Sequence, residues 1–415
     1  MNNELLKDLE WRGLIKDCTD LEGLGKALGE KIALYCGVDA TGDSMHIGHL
    51  LPFLMMKRFQ EAGHTPIILV GGATGMIGDP SGKAAERQIQ SIEAVQHNVK
   101  GLTEQVQKLF SGNAKFVNNY DWTHNLSVLD FLRDYGKSFN VNLMIAKDIV
   151  KSRLETGISF TEFSYQILQA MDFNFLYEHH GCRLQIGGSD QWGNIVGGLD
   201  LIRKKQGHEA EAFGLTLPLI TKADGTKFGK TESGAIWLDP EKTSPYEMYQ
   251  FFINTADADV IKFLKFFTFL SKKDIENIEA AFVDAPHERL AQKTLAYEIV
   301  KLIHGEEAAE QAVRITAALF SGNVKSLNAK EIELGFKGVP TVELDEELNL
   351  VDALIAMKAA KSKRESREFI SNNSISINGD RVSDLEFLVC KASAIDEKFT
   401  VVRRGKKNYF LVKHV

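Results

Sequence analysis

Residues 32–72 read IALYCGVDATGDSMHIGHLLPFLMMKRFQEAGHTPIILVGG, and the class of fold can be predicted from this segment. A short apolar run, Ile32–Val38, is followed by the turn-forming segment DATGDS, an apolar helical pattern and a second apolar run at 66–70. Strand, loop, helix and strand at this spacing predict a βαβ unit, in which the two strands lie parallel. The sequence therefore predicts an α/β domain with a parallel sheet and flanking helices.

The same pattern resumes later in the chain. A glycine-rich loop and a helix at about 91–110 follow the second apolar run, and LQIGG at 184–188 then precedes a helix to about 206 and the β-prone run GLTLPLI. Residues 124–182, between the two halves, are helical in pattern and are expected to be an insertion that splits the sheet. We therefore predict one α/β domain over 1–243.

The remainder of the chain is predicted to contain a helical domain (244–330), a polar linker (331–348) and a small basic α+β domain (349–415). Residues 351–415 contain 13 Lys+Arg against 8 Asp+Glu, whereas residues 1–350 contain 36 against 48. A basic tail behind an acidic body suggests that a polyanion binds at the C-terminal end. A solvated basic face is the alternative interpretation of the charge alone.

Composition sets the class of protein. With 415 residues, 44% apolar and 25% charged, the chain is expected to be a soluble globular protein of two or three domains. Its first residues are charged and lack an apolar run, so no signal peptide is expected. The most apolar stretch, 263–270, is short and contains Lys265, which indicates a buried helix and no membrane span. The four cysteines are scattered, which argues against disulfides or a zinc site and favours the cytoplasm.

The strongest local motif is HIGH, His46–His49, where a loop enters a helix. Backbone N–H groups at a helix start lack intrahelical partners and favour phosphate. Imidazoles three residues apart share one face of the first turn, and Gly48 removes a side chain where a flat base could approach. The alternative is that both histidines are structural.

The second motif is KFGKT, Lys227–Thr231, which follows the turn-forming pair Asp224-Gly225. Two ammonium groups on an exposed loop can stabilise the charge that develops as phosphates depart. A lysine pair of this kind is usually solvated surface. In combination with HIGH some 180 residues earlier in a split α/β domain, it indicates nucleotide chemistry.

This combination resembles the class I aminoacyl-tRNA synthetases, whose signatures are HIGH and a lysine loop usually written KMSKS. Four further stretches narrow the resemblance to bacterial-type tyrosyl-tRNA synthetases: YCGVDATGDSMHIGHL (35–50), GGATGMIGDPSGK (71–83), TEFSYQILQAMDF (161–173) and GGSDQWGN (187–194). The resemblance covers nearly the whole chain. It implies a Rossmann-like catalytic domain, activation of tyrosine with ATP and Mg²⁺, transfer to tRNA(Tyr), and a homodimer joined around 124–182.

The amino-acid pocket is predicted on one helix. Tyr165, Gln169 and Asp172 are spaced i, i+4, i+7 and must share a face, which indicates a pocket wall or, alternatively, an internal hydrogen-bond network. The resemblance implies that Tyr35 and Asp172 bind the substrate phenol, with the carboxylate accepting the phenolic hydrogen. It also implies that Tyr165, Gln169 and Asp79 hold the substrate ammonium group.

The resemblance implies the nucleotide contacts as well. Thr41 and His46 would bind the γ-phosphate side, and Cys36, His49 and Asp190 would contact the ribose. The further residues at matching positions near the nucleotide and the reacting groups are Gly37, Asp39, Gly48 and Gln191. The groups expected to reach pyrophosphate are Lys83, Arg87, Lys227 and Lys230, and Thr231 completes the lysine loop. No cluster suggests a dedicated metal site, so Mg²⁺ is expected to arrive with ATP.

The C-terminal segment predicts a helix, a basic turn, a second helix and a β-hairpin around Asn378-Gly379. It resembles the small RNA-binding domain shared with ribosomal protein S-four. The basic positions that match this domain are Lys361, Lys363, Arg364, Arg367 and Arg381. Basic side chains on a helix pair are suited to the shape of an RNA backbone.

Two other functions fit parts of the pattern. A small-molecule adenylyltransferase of the HIGH type would need neither the basic tail nor the tyrosine-specific helix. A synthetase-derived RNA-binding or scaffolding protein without catalysis would be expected to have a damaged HIGH or lysine loop, and both are intact here.

Overall fold

Six strands form the main sheet. In this computed structural model they are β1 (Asp17–Cys18), β2 (Ala33–Asp39), β3 (Thr65–Gly71), β4 (Lys115–Asn118), β5 (Cys182–Gly188) and β6 (Phe213–Leu217). Their order in the sheet is β1-β6-β5-β2-β3-β4. Strands β2 to β6 are parallel, as the sequence predicts. The short edge strand β1 pairs antiparallel with β6, so the sheet is mixed rather than wholly parallel.

The structure describes residues 3–81, 90–151, 153, 157–223, 225, 228–231, 234–405 and 408–415, with the backbone alone described at 148, 149, 230 and 231. The chain forms two units, one of residues 1–243 with 254–295 and one of 244–253 with 296–415. This differs from the predicted division at residue 243, because the chain enters the second unit, returns to the first and leaves it again.

Helices cover the sheet on both sides. The first eleven are α1 (Glu4–Arg12), α2 (Leu21–Ala27), α3 (Leu50–Glu61), α4 (Gly72–Ile77), α5 (Ile92–Leu109), α6 (Tyr120–Thr123), α7 (Val128–Asp130), α8 (Val141–Ala146), α9 (Asp148–Lys151), α10 (Phe160–His180) and α11 (Trp192–Gln206). Helices α3 and α5 contact β3. Tyr35 and Leu69 pack with Phe173 of α10 and Leu199 of α11 in one buried cluster. Alternating strand residues thus serve two packed faces.

Helix α4 replaces the glycine-rich loop that the sequence predicts after β3. Its glycines allow close packing: a Cβ on Gly75 would lie 3.0 Å from the backbone nitrogen of Ala40. The glycines therefore bring a helix against the end of β2, and their number is not a sign of irregular structure.

The predicted helical insertion is present between β4 and β5 and consists of α6 to α10, with a π-helical turn at Phe131–Tyr135. Its longest element, α10, begins at the N-cap Ser159, whose side chain accepts from the Glu162 N–H. It ends at Gly181 in the left-handed conformation. Leu129 and Phe160 of this insertion are 76% and 73% exposed.

After the sheet, a hairpin of β7 (Lys230–Thr231) and β8 (Gly234–Ala235) is followed by a helical stretch. The helices are α12 (Pro245–Ile253), α13 (Asp257–Phe267), α14 (Lys272–Asp284), α15 (Leu290–His304) and α16 (Glu306–Ser321). Phe263 and Phe267 of α13 are buried, in agreement with the predicted buried helix. Within the described ranges no helix is long and apolar enough to cross a membrane.

The C-terminal part contains α17 (Ala329–Gly335), β9 (Thr341–Leu344), β10 (Leu348–Asn349), α18 (Leu350–Ala356), α19 (Lys363–Ser371), β11 (Ile375–Ile377), β12 (Asp380–Arg381), β13 (Leu388–Val389), β14 (Phe399–Arg404) and β15 (Asn408–His414). The predicted helix, basic turn, helix and hairpin are all present. Asn378 and Gly379 have φ values of 48° and 95°, which is the geometry that a two-residue hairpin turn requires.

Residues 331–348 are not the linker that the sequence predicts. They include the end of α17 and strand β9, which pairs parallel with β15 as the edge of a five-stranded sheet. The polar residues Thr341 and Glu343 lie on the exposed face of β9, and Val342 and Leu344 lie on the half-buried face. The alternation of exposed and half-buried residues in TVEL is that of a strand.

Candidate active site

The candidate site is a cavity of about 540 Å³ at the carboxyl ends of β2 and β5. These two strands are neighbours in the sheet, and the chain proceeds from them in opposite directions, so they form the topological switch point where α/β sheets bind ligands. The cavity is lined by fourteen of the residues predicted from the sequence, which are Tyr35, Cys36, Gly37, Asp39, Thr41, His46, Gly48, His49, Asp79, Tyr165, Gln169, Asp172, Asp190 and Gln191. The structure therefore brings the predicted phenol-binding and phosphate-binding groups together.

The HIGH stretch forms a tight 3₁₀ turn, Ile47–His49, that leads directly into α3. His46 Nδ1 accepts from the Gly48 N–H at 3.1 Å, and His49 Nδ1 accepts from the His46 N–H at 3.4 Å. The two rings stack with centroids 3.8 Å apart. Because each Nδ1 accepts, the neutral rings have their hydrogen on Nε2, which can donate to an anion.

The backbone amides of this turn differ from the prediction. The Ile47 N–H donates to Ile236 O at 2.8 Å, the His49 N–H donates to His46 O at 2.9 Å, and the Gly48 N–H donates to the His46 ring. In so tight a turn the amides bond to their own N-cap and to a neighbouring segment. The amides of this turn are therefore paired and are not the unpaired donors that the sequence predicts.

The lysine loop is fixed at its centre. Phe228 is buried with its ring centroid 4.7 Å from that of Phe263 and 5.2 Å from that of Phe267. Gly229 has φ +83°, and a Cβ there would lie 2.6 Å from Ile47 Cγ2, so only glycine fits against the HIGH turn. The predicted residues Lys83, Arg87 and Lys227 lie outside the described residues. Lys230 and Thr231 are described by their backbone alone, as the strand β7.

The predicted phenol-binding end is a buried polar pocket. The Tyr35 hydroxyl is buried and has no hydrogen-bond partner in the structure. Asp172 accepts from Asn119 Nδ2 and from Trp122 Nε1, both at 2.9 Å. Two donors hold the carboxylate in place, and an unpaired hydroxyl beside it leaves a position suited to a ligand hydroxyl.

Burial controls the protonation of this pocket. Desolvation raises the pKa of Asp172 to about 7, although the bonds from Asn119 and Trp122 lower it. Burial likewise raises the pKa of Tyr35 well above its usual value, helped by the nearby Asp172 carboxylate. Tyr35 therefore stays a neutral hydroxyl at physiological pH.

A second polar group surrounds the predicted ammonium position. Tyr165 donates its hydroxyl to Asp39 at 3.0 Å, and Gln191 Nε2 donates to Asp79 Oδ2 at 2.7 Å. Gln169 Nε2 donates to Gln191 Oε1 at 3.2 Å. The two carboxylates make this part of the cavity acidic, which favours a cation. Asp39 therefore belongs to this group together with the three residues predicted to hold the ammonium, because it accepts the hydrogen bond from Tyr165.

Cys36 is buried at the cavity wall, and burial raises the pKa of its thiol to about 12. It is consequently a neutral thiol, suited to a weak hydrogen bond and not to nucleophilic attack.

Among the residues that the structure describes, there is no group of three or more His, Cys, Asp or Glu side chains that could hold a metal ion.

Comparisons with known proteins extend these observations. Residues 26–321 match the family described as tRNA synthetases class I (W and Y), and residues 331–412 match the tyrosine–tRNA ligase SYY-like C-terminal domain. A tyrosine–tRNA ligase of Listeria monocytogenes is 63% identical over 416 residues, with 99% of each chain covered. The chain belongs to the tyrosine–tRNA ligase family.

A further relative and two solved structures are also similar to this chain. Tyrosine–tRNA ligase 2 of Bacillus cereus is 60% identical over 99% of both chains. A C-terminally truncated mitochondrial tyrosyl-tRNA synthetase of Aspergillus nidulans superimposes with a TM-score of 0.69 at 35% identity, covering 76% of this chain and 94% of that one. The tyrosyl-tRNA synthetase of Archaeoglobus fulgidus complexed with L-tyrosine is 16% identical with a TM-score of 0.56 over 75% of this chain and all of that one, and shows the same fold. A small-molecule adenylyltransferase does not account for these matches.

Sequence reasoning did not find four side chains of this tyrosine–tRNA ligase site: Asn119, Trp122, Gln185 and Trp237. Asn119 follows the carboxyl end of β4, which is a position that α/β sheets use for ligands and the one signal that could have identified it. Gln185 lies in β5 beside Tyr35 of β2, and its buried Oε1 has no partner. Trp122 lies in the four-residue helix α6, and Trp237 lies in an irregular segment, so neither belongs to a sequence pattern long enough to indicate a role.

The predicted RNA-binding residues of the second unit are all exposed. Lys363, Arg364 and Arg367 lie on α19, and Lys361 precedes its N-cap, Ser362. Lys363 also forms an ion pair with Asp352 at 2.7 Å. Exposed cations of this kind can contact a polyanion.

Proposed function

We propose that this protein activates L-tyrosine with ATP in the cavity described above and transfers the tyrosyl group to tRNA(Tyr). The observation that carries the proposal is the buried pair of Tyr35 and Asp172 at one end of the cavity that also contains the HIGH imidazoles. The phenol of the substrate would donate to Asp172 and accept from Tyr35. Asp79, Gln169 and Tyr165 would hold its ammonium group.

The proposed reaction needs no protein nucleophile. The tyrosine carboxylate forms a bond to the α-phosphorus of ATP while the bond between that phosphorus and the β-phosphate oxygen breaks, and pyrophosphate leaves. A terminal ribose hydroxyl of tRNA then attacks the adenylate carbonyl and AMP departs. The protein contributes positioning and charge stabilisation.

The nucleotide roles extend this proposal. Thr41 and His46 would contact the γ-phosphate side, and Cys36, His49 and Asp190 the ribose. Lys83, Arg87, Lys227 and Lys230 would neutralise the departing pyrophosphate. Mg²⁺ would enter as the ATP complex, since the described residues contain no cluster suited to a resident ion.

The experiment that tests this function is ATP–pyrophosphate exchange, run with each standard amino acid in turn. Exchange that depends on L-tyrosine alone is expected. A phenylalanine response would contradict the assigned pocket, because phenylalanine would leave the Asp172 carboxylate and the Tyr35 hydroxyl buried without partners. If none of the amino acids supported exchange, the result would favour a synthetase-derived protein without catalysis.

The affinity for L-tyrosine is expected to depend on pH. The pKa of Asp172 is raised to about 7, and a phenolic donor stabilises the ionised form, so binding releases a proton and is favoured as the pH rises through that value. Below about pH 7 the dissociation constant of tyrosine should increase roughly tenfold for each unit by which the pH falls. Equilibrium dialysis with labelled tyrosine measures this, and a constant affinity from about pH 5.5 to about pH 8 would refute it.

We also propose a homodimer joined through the insertion. Val128, Leu129, Leu143 and Phe160 are more than half exposed, and an apolar group of this kind marks an interface. Replacing Leu129 and Leu143 by glutamate should give monomers in analytical ultracentrifugation, because each buried charge would oppose association. The matched variant Val283→Glu, at an exposed apolar residue of α14, should leave the mass unchanged. A double variant that remains dimeric would locate the interface elsewhere.

Transfer to tRNA would use the second unit, with Lys361, Arg364, Arg367 and Arg381 contacting the RNA backbone and Lys363 contributing after release of Asp352. The protein is proposed to act in the cytoplasm. The support for this is that all four cysteines are free thiols, as is usual in a reducing compartment.

A further inference from the structure

The two signature motifs are joined by a short segment, residues 235–238. This segment begins in the second strand of the lysine-loop hairpin, at Ala235. Ala235 pairs with Lys230 inside the hairpin. The Ile236 N–H donates to Gly229 O at 3.2 Å, and its carbonyl accepts from Ile47. The Leu238 N–H donates to Met45 O at 2.8 Å. The backbone of this segment is therefore bonded to the lysine loop on one side and to the HIGH turn on the other.

Trp237 is the side chain at the centre of this connection. It forms an antiparallel bridge with His46, and the two ring centroids are 6.0 Å apart at an interplanar angle of 65°. The His46 ring also stacks on the ring of His49. Edge-to-face aromatic contacts of this geometry are favourable and directional, so they restrict ring rotation.

The indole is held in place from the other side. Lys242 Nζ lies 5.2 Å from the Trp237 ring centroid and pairs with Asp43, in the loop that precedes HIGH. The backbone N–H of Trp237 donates to Thr243 Oγ1 at 3.0 Å. A cation over an indole face is attracted to the ring, and the ion pair with Asp43 ties that cation to the HIGH loop.

We infer that Trp237 is a positioning residue that orients the His46 imidazole and transmits the position of the lysine loop to it. The inference rests on the proposed function, because it assigns His46 to the phosphates of ATP. Trp237 lines the cavity at the His46 end, and none of its contacts given above involves Tyr35 or Asp172. Its replacement should therefore affect the reaction of ATP and leave tyrosine binding intact.

The test uses the full-length protein and a double-mutant cycle with Trp237→Leu, His46→Ala and the combination. Adenylate formation is followed by rapid quench with labelled ATP, and tyrosine affinity by equilibrium dialysis. Trp237→Leu should slow adenylate formation about ten- to hundredfold, the loss expected when a catalytic contact is misplaced by about 1 Å. The dissociation constant of tyrosine should change by less than about twofold.

The cycle distinguishes positioning from a general structural role. If Trp237 acts through His46, Trp237→Leu should cost less than about threefold in the His46→Ala background, since the effects of contacting residues are non-additive. Losses that multiply would overturn the inference. So would a loss of tyrosine affinity equal to the loss of rate.

Further variants exclude a folding defect. Trp237→Phe keeps an aromatic ring beside His46 and should retain most of the rate, whereas a rate as low as that of the leucine variant would refute the ring contact. Trp11→Leu is the matched control, because that indole also lies near a lysine, Lys265 at 5.0 Å, and does not line the cavity. It should leave the rate unchanged.

Lys242→Met provides an independent route if Trp237→Leu does not fold. It removes the cation beside the indole and should slow adenylate formation about threefold, again with little added cost in the His46→Ala background. An unchanged rate would contradict the proposed role of Lys242 in holding the Trp237 ring in place. Tyrosine-dependent exchange by the unmodified protein is measured first, because its absence would refute the proposed function, whereas its presence with an additive cycle would refute only the role of Trp237.

Discussion

Replacing Asp172 by alanine is expected to abolish tyrosine-dependent pyrophosphate exchange. The change removes the acceptor for Asn119, for Trp122 and for the proposed phenol, and leaves up to three buried donors without partners. Asn119 and Trp122 lose this acceptor in the free variant too, so the loss in kcat/KM for tyrosine comes from the buried phenol, whose bond to a charged acceptor contributes about 3 kcal/mol, roughly a hundredfold or more. Initial rates of exchange over a range of tyrosine concentrations measure it.

The control for this variant lies on the same helix. Glu178 is exposed near the end of α10, and Glu178→Ala should exchange pyrophosphate as the unmodified protein does. ATP binding by Asp172→Ala should also persist, because the carboxylate is bonded to Asn119 and Trp122, at the end of the cavity assigned to the phenol. Retained tyrosine activation would mean that the phenol binds elsewhere.

Replacing Arg364 and Arg367 by glutamate should reduce tRNA charging about a hundredfold while pyrophosphate exchange continues. Both side chains are exposed on α19, so their replacement does not disturb a core. Each lost phosphate contact weakens RNA binding, and repulsion adds to the loss, giving about a hundredfold reduction in kcat/KM for tRNA. Charging of tRNA(Tyr) with labelled tyrosine and the exchange reaction are measured in parallel.

Charge reversal tests this better than truncation. Ile315 and Phe336 pack with Val401 and Leu411 in one buried cluster, so a chain that ends before residue 349 would expose apolar surface. The matched control is Lys100→Glu with Lys108→Glu, which makes the same change of charge on exposed residues of α5. If the α19 variant still charged tRNA at the control rate, α19 would not bind RNA.

The sequence predicted the parts of the site that lie on regular elements. Tyr165, Gln169 and Asp172 share a face of α10 because the helical period requires it, and His46 and His49 lie at a turn that HIGH itself indicates. Asn119 and Trp122 reach Asp172 from about 50 residues away in the chain. Such a contact depends on tertiary packing, which local periodicity does not encode.

The mistakes in the fold prediction have a similar origin. Residues 72–77 form a helix although they are rich in glycine, because close approach to Ala40 demands small residues there. Strand β9 was missed in a polar segment because it has only four residues and one of its faces is exposed, so its alternation is short and partly polar. Trp237 lies between two loops, and its importance follows only from the bridge to His46.

The most direct test of the central claim is a crystal structure with a non-hydrolysable tyrosyl-adenylate analogue. The phenolic oxygen is expected between the Tyr35 hydroxyl and the Asp172 carboxylate, with the adenylate portion of the same molecule alongside His46 and His49. A ligand bound outside this cavity, or with its phenol remote from Tyr35 and Asp172, would contradict the account.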